Sequence, residues 1–255
     1  MGLEVTFLGT GTSQGVPVIA CHCDICESSD PRDKRLRSSV LVKKNNTALV
    51  IDTGPDFRQQ MLREKIQELD AVVFTHEHKD HTAGLDDVRA FNFKQQRDMP
   101  LYAHQRVLNQ LKQEFSYAFA EHKYPGVPLL EVYPIDKGLL TVEGIAMEAL
   151  EVMHYKLPVL GFRYKNFAYL TDLNRIPAET ASKLQGLDIL VLSALQQQQH
   201  ISHFSLQEAI EAAQQINAKQ TYFTHISHRM GLHRNVEKLL PEGINLAYDG
   251  LKISL

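Results

Sequence analysis

The stretch His76-Glu77-His78-Lys79-Asp80-His81 decides how this chain is read. It has the pattern H-x-H-x-D-H and directly follows the apolar run Ala71-Val72-Val73-Phe74. Three imidazoles and a carboxylate at the mouth of a strand suit borderline divalent metals such as zinc or manganese. The bland alternative is a solvated polar loop, but this pattern rarely arises by chance.

One cluster does not complete a metal site, so further ligands are expected at other strand ends. His154 follows the strand-like Met147–Val152, Asp172 follows Phe167–Leu170, and His225 follows Thr221–Phe223. Taken alone, each would read as a capping or hydrogen-bonded residue. With the loop they make seven ligands, enough for two metals that share one carboxylate.

The surrounding pattern predicts the scaffold. Ala48–Asp52 and Ala71–Phe74 read as buried strands, and Phe162–Tyr164 with Phe167–Leu170 as a hairpin around Lys165-Asn166. Ile189–Leu192 and Thr221–Phe223 are also strand-like. Helical patterns cover Gln105–Phe119, Pro177–Leu184 and Ser205–Ile216. The last begins with a capping box, Ser205 and Glu208. Gln196–Gln199 reads as a solvated loop. The order predicts an α/β fold of stacked sheets with helices outside.

Composition narrows the function. The chain has 255 residues, 44% of them apolar, with 27 Lys+Arg against 30 Asp+Glu. A net charge of -3 gives no basic excess, so stable nucleic-acid binding is not expected. No apolar run approaches a membrane span, and Met1–Phe7 lacks the features of a signal peptide. A single domain over 1–255, in the cytoplasm, is expected. A homodimer is the default for a soluble oligomer.

These residues resemble the metallo-β-lactamase superfamily, whose hallmark is the H-x-H-x-D-H loop. Within it the chain looks like the PhnP-like group, named for the cyclic phosphodiesterase of bacterial phosphonate breakdown. The likeness runs from Phe7-Leu8-Gly9-Thr10-Gly11-Thr12-Ser13-Gln14-Gly15-Val16-Pro17 to Thr224-His225-Ile226-Ser227-His228. It also takes in Arg35–Ser39, Ile51–Arg58 and Gly84–Arg89. The resemblance implies an αβ/βα sandwich of two mixed β-sheets with a dinuclear site at one edge. It places His76, His78 and His154 on one metal, zinc or manganese. Asp80, His81 and His225 would hold the other, with Asp172 bridging. The implied activity is hydrolysis of a small, cyclic phosphodiester by a metal-bridging hydroxide, with Asp80 and His203 as catalytic residues. His203 would be an acid or a phosphate contact. The alternatives are a tRNase Z-like nuclease, another hydrolase of this fold, or a non-catalytic biosynthesis-accessory protein.

All three cysteines fall in Cys21-His22-Cys23-Asp24-Ile25-Cys26. Three thiolates lack one ligand for a tetrahedral structural zinc, and the alternative is a set of buried reduced thiols. The resemblance points to His228 as the fourth ligand. Gly9–Gly15 could offer backbone N–H groups to an anion or be a plain tight turn. Asp86 and Asp87 are expected to buttress the histidines, with Arg89 beside them. Arg35, Arg37 and Arg58 are equal candidates for phosphate contacts or surface ion pairs.

Overall fold

The structure, a computed structural model, describes residues 2–255. The first strands are β1 (Leu3–Gly9), β2 (Ser39–Lys44), β3 (Thr47–Ile51), β4 (Ala71–Val73), β5 (Met99–Ala103) and β6 (Leu130–Pro134). Next come β7 (Gly138–Val142), β8 (Ile145–His154), β9 (Leu157–Tyr164) and β10 (Phe167–Leu170). The last are β11 (Ile189–Ser193), β12 (Gln220–Thr224), β13 (Ile244–Leu246) and β14 (Lys252–Ser254). They form two seven-stranded sheets, ordered β14-β1-β2-β3-β4-β5-β6 and β13-β12-β11-β10-β9-β8-β7.

Each sheet is antiparallel in one half and parallel in the other. In the first, β14 to β3 pair antiparallel and β3 to β6 pair parallel. In the second, β7 to β10 pair antiparallel and β10 to β13 pair parallel. Tight hairpins join β2 to β3, β7 to β8, β8 to β9 and β9 to β10, whereas β1 meets β2 and β14 across long stretches of chain. Asn45, Lys165 and Glu143 take φ values of 55°, 49° and 46° between paired strands, the left-handed turns whose twist matches the strands. Lys165-Asn166 joins β9 to β10 as the sequence predicts.

Parallel strands need crossovers, and helices supply most of them. They are α1 (Phe57–Arg63), α2 (Lys79–Thr82), α3 (Arg89–Gln95), α4 (Gln105–Glu114), α5 (Ser116–Phe119), α6 (Ala178–Ser182), α7 (Leu206–Ile216) and α8 (His233–Val236). The capping box opens α7: the Ser205 N–H donates to Glu208 Oε2 at 2.8 Å. The Gln105–Phe119 pattern is two helices rather than one. Phe115 leaves helical angles, and the turn after it carries the Tyr117 hydroxyl to Asp86 Oδ1 at 2.6 Å. Pro177 precedes α6 instead of entering it. Gln196 is buried, not solvated, and its carbonyl accepts from Leu206 N–H at 2.8 Å.

Three apolar layers follow from the period-2 pattern of the strands. Phe7, Leu49, Ile51 and Val73 of the first sheet meet Ala149, Phe162, Tyr169 and Val191 of the second. On the first sheet's outer face, Val50 and Val72 pack against Phe57, Met61 and Leu108 of the helices. On the second sheet's outer face, Leu190 and Leu192 pack against Ala209, Ala213 and Ile216 of α7. Both faces are covered, so β3 and β4 are apolar without alternation. Truncating Leu49 or Leu190, each fully buried, to alanine would cost about 2–5 kcal/mol. No helix among the described residues is long and apolar enough to cross a membrane.

Candidate metal centre

The carboxyl ends of the parallel strands of both sheets lie at one edge, where an α/β sheet presents its ligand-binding loops. The loop after β4 carries His76, His78, Asp80 and His81. Asp52 follows β3, His154 ends β8, Asp172 lies just past β10, and His225 follows β12. Asp52, Asp172 and His225 all have left-handed backbone, with φ of 66°, 51° and 58°. A non-glycine residue there costs about 1–3 kcal/mol and persists where its surroundings fix it, typically at functional sites. A Cβ on Gly54 would collide with the Asp80 carbonyl. Glycine therefore lets the chain leaving β3 pass against the histidine loop.

Asp172 stands at the middle. Its Oδ2 is 3.1 Å from His76 Nε2 and 3.1 Å from His81 Nε2, and its Oδ1 is 2.6 Å from His225 Nε2. Asp80 Oδ2 is 3.3 Å from His81 Nε2 and 3.5 Å from His225 Nε2. Two groups could each hold a metal ion: Asp80, His81, Asp172 and His225, and His76, His78 and Asp172. Asp172 is common to both. His154 stands just outside the second group, its ring 5.2 Å from that of His78 and 6.0 Å from that of His76.

Buried partners fix the imidazoles. His81 Nδ1 donates to Asp52 Oδ2 at 2.7 Å, and His154 Nδ1 donates to the Ser202 carbonyl at 2.9 Å. His76 Nδ1 meets Thr75 Oγ1 at 2.9 Å. Each bond selects the tautomer that leaves Nε2 free to ligate. The Nε2 atoms of His76, His81 and His225 are buried and lack hydrogen-bond partners. An orphaned buried polar atom costs about 1–3 kcal/mol. Three of them converging on one carboxylate is the arrangement a divalent cation answers, so the residues fit a metal.

The charges agree. Burial opposes ionisation of Asp172, yet His225 and His81 hold its carboxyl well below the usual range. Burial likewise opposes charge on His225, but Asp172 and Asp80 pull it up to about 9. The two carboxylates call for positive charge at this point, and protons on these imidazoles can supply it as a cation would.

His203 lies over the site, its ring 4.5 Å from His154 and stacked 5.0 Å from His225. Its Nδ1 is buried without a partner. Burial first, and His225 second, push its pKa down to about 3, so it is neutral near pH 7. His200 is 5.2 Å away but exposed.

The cysteine loop meets the other end of the chain. His228 Nδ1 is 3.3 Å from Cys21 Sγ and 3.5 Å from both Cys23 Sγ and Cys26 Sγ, a group that could hold a metal ion. His22 turns away to Glu27 at 3.0 Å.

Other expectations fare differently. Asp86 pairs with Arg89 at 2.9 Å and with Tyr117, and it reaches none of the histidines. Within the Gly9–Gly15 segment, the N–H groups of Thr10, Gly11, Thr12 and Gly15 all donate within the protein, which is the tight turn rather than an open nest. The residue that does buttress a histidine is Asp52, which sequence reasoning left inside a quoted motif without a role. The available signal was an aspartate at the end of a buried strand.

Comparison with known proteins agrees with this geometry. Residues 47–226 match the family model described as "Beta-lactamase superfamily domain". A solved diphosphatase from the PhnP family is 42% identical, with a TM-score of 0.94 over 100% of this chain and 98% of that one. An octanoyltransferase of Porphyromonas gingivalis is 39% identical over 98% of this chain but 51% of its own length. A ribonuclease Z of Methanosarcina acetivorans is 27% identical over 63% of this chain and 47% of its own. The chain thus spans about half the length of these two curated relatives.

Proposed function

The chain belongs to the PhnP family of the β-lactamase superfamily, and from that premise we propose a dinuclear metal-dependent phosphodiesterase acting on a small substrate. The observation that carries this is Asp172, whose two oxygens serve two ligand groups at distances of 2.6–3.1 Å. His76, His78, His154 and Asp172 would hold one ion, and Asp80, His81, His225 and Asp172 the other. When bound, two divalent cations lower the pKa of water and neutralise charge on phosphoryl oxygens.

The chain's own groups do the positioning. Asp52, Thr75 and the Ser202 carbonyl hold three imidazoles in ligating tautomers. His203 enters as a neutral imidazole, which suits a hydrogen bond to a phosphoryl oxygen. An incoming anion would raise its basicity, and it could then protonate a leaving oxygen. Cys21, Cys23, Cys26 and His228 would hold a structural zinc. That zinc would tie the N-terminal loop to the segment that follows His225.

A second reading, hydrolysis of a phosphoanhydride, is favoured by the 42% identical relative described as a diphosphatase. The octanoyltransferase name belongs to a protein nearly half of which lies outside the match. The test is turnover of ribose 1,2-cyclic 5-bisphosphate, 2′,3′-cyclic nucleotides, a dialkyl diphosphate and bis(p-nitrophenyl) phosphate after loading with zinc or manganese. Preference for a diester supports the first reading, and preference for the diphosphate the second. No turnover at full metal occupancy would favour an accessory, non-catalytic role.

A further inference from the structure

The arginines that the sequence offers for phosphate are engaged elsewhere. Arg35 is buried and donates to Thr10 Oγ1 at 2.8 Å and to the Ala247 carbonyl at 2.6 Å. The Nε of Arg37 lies 3.1 Å from Asp56 Oδ2, and Arg58 lines a groove behind the first sheet with Phe57 and Met61. The arginine that touches the histidine loop is Arg106.

Along that loop the side chains alternate. His76, His78 and Asp80 belong to the two ligand groups, whereas Glu77 and Lys79 turn to α4. Lys79 pairs with Glu114 at the far end of the helix and is two-thirds exposed, where an ion pair contributes little. Glu77 is different. Its side chain is 19% exposed, and its Oε1 accepts from Arg106 Nε at 2.7 Å. Arg106 Nη2 donates at 2.7 Å to the Pro158 carbonyl on β9. One guanidinium thus bonds the histidine loop of the first sheet to a strand of the second.

Pro158 lies beside the ligand His154. In the β8–β9 pair His154 stands opposite Leu157 and Met153 opposite Pro158, with only Tyr155 and Lys156 at the turn. A two-residue turn leaves a hairpin little freedom, so holding Pro158 holds His154. One further bond ties β9 to the loop, from the Leu160 N–H to the Thr75 carbonyl at 3.0 Å. The stability of α4 does not explain Arg106. Its N–H donates to the capping His104 Nδ1 at 3.2 Å, which places it in the first helical turn. A cation there opposes the helix dipole. The other ligand group is joined across the sheets by different bonds. The Ile226 N–H donates to the Thr10 carbonyl at 2.8 Å, and the Thr12 N–H to the Ile226 carbonyl at 3.1 Å. Neither passes through α4.

We propose that Arg106 is a positioning residue that sets the distance between the His76–His78 loop and His154, and so selectively holds the ion of that group. The inference rests on the dinuclear reading and deepens it: the occupancy of one ion depends on a contact outside the ligand set. His154 is where such a strut acts. Its ring stands 5.2 Å from that of His78, just outside the group formed by His76, His78 and Asp172. Arginine suits the task because its planar fork fixes two acceptors at once.

The test measures cobalt affinity by chelator competition in two backgrounds that each leave one active-site ion. Asp80→Ala leaves the group of His76, His78 and His154, and His78→Ala leaves that of Asp80, His81 and His225. An ion among the cysteines is told apart by its thiolate charge-transfer absorption. Arg106→Ala should weaken binding about tenfold or more in the first background and less than about threefold in the second. Glu77→Ala should do the same, and the double variant should lose no more than either single one, because the two residues act through one contact. Equal weakening in both backgrounds would make Arg106 merely structural and overturn the assignment. Unchanged affinity in the first background, or additive losses in the double variant, would overturn it as well. Should circular dichroism show that Arg106→Ala does not fold, Glu77→Ala carries the same comparison. If either background holds no ion, the dinuclear reading itself has failed and Arg106 falls with it. If each holds one, that reading stands and the selectivity decides Arg106 alone.

Discussion

Asp52 Oδ2 accepts a hydrogen bond from His81 Nδ1 at 2.7 Å, with both side chains wholly buried. Asp52 is itself held by Thr75, whose N–H and hydroxyl donate to its two oxygens at 2.9 and 2.8 Å. The carboxylate can therefore only accept at His81, and His81 presents Nε2 toward Asp172 and Asp80. Asp52→Asn would turn an amide N–H toward one of these partners and favour the wrong tautomer. The expected result is a 10–100-fold loss of metal affinity in the group holding Asp80, His81 and His225. Competition titration with a zinc chelator measures it. Unchanged affinity would remove Asp52 from the site.

Asp172 and Asp80 should separate in metal content. Asp172 serves both ligand groups and Asp80 only one. Asp172→Ala should lose both active-site ions, whereas Asp80→Ala should keep the ion at His76 and His78. Both should lower turnover of bis(p-nitrophenyl) phosphate by at least a hundredfold. Elemental analysis of the two purified variants decides it, and full activity in metal-replete Asp80→Ala would sink the dinuclear mechanism.

Much of this was legible in sequence because it is local. The histidine loop announces itself within six residues, and buried strands flanked by turns predict stacked sheets. The residues that complete the site are far apart in sequence, so only the strand-end rule and the family resemblance gather them. What stayed hidden depends on distance and burial. Asp52 and Asp86 look alike as aspartates beside apolar runs, but one is sealed under His81 and the other pairs with Arg89 and Tyr117. Arg35 and Arg37 are two residues apart, and strand alternation would set both on one face, yet Arg35 is buried while the Arg37 side chain is a quarter exposed. At Phe115 the backbone leaves the helix although the sequence periodicity runs on, and Tyr117 just beyond it bonds to Asp86.

The cysteine group makes a prediction independent of catalysis. Cys23 lies at 3.5 Å from His228 Nδ1, and the Cys26 backbone N–H is the main cause holding its thiol down at about 6. A thiolate is the ligand form, so this group is prepared for zinc. Cys23→Ser should lose one zinc per chain and unfold at lower temperature, because binding free energy at a structural site is folding free energy. His228→Ala should do the same, although it lies over two hundred residues away. Zinc content that stays constant in both variants would refute the site.

His233 should make the fold acid-sensitive without touching a proposed metal ligand. It is 2% exposed; its backbone N–H donates to Asp33 Oδ1 at 2.7 Å, and its Nδ1 accepts from Arg35 at 3.1 Å. Burial first, and the Arg35 charge second, push its pKa down to about 4 from an ordinary 6.5. A proton on Nδ1 would remove the acceptor and set two cations side by side. Between pH 6.5 and 4 the unfolded chain binds a proton that the folded one refuses. His233 therefore contributes stability that is whole above pH 6.5 and is lost as pH falls to about 4, by at most about 3 kcal/mol. His233→Asn puts an amide oxygen near the same place and cannot be protonated. Urea unfolding of metal-free protein from pH 7 to pH 4 should show a shallower loss of stability in that variant than in the native chain. Equal slopes would mean that the Arg35–His233 contact does not set the acid response.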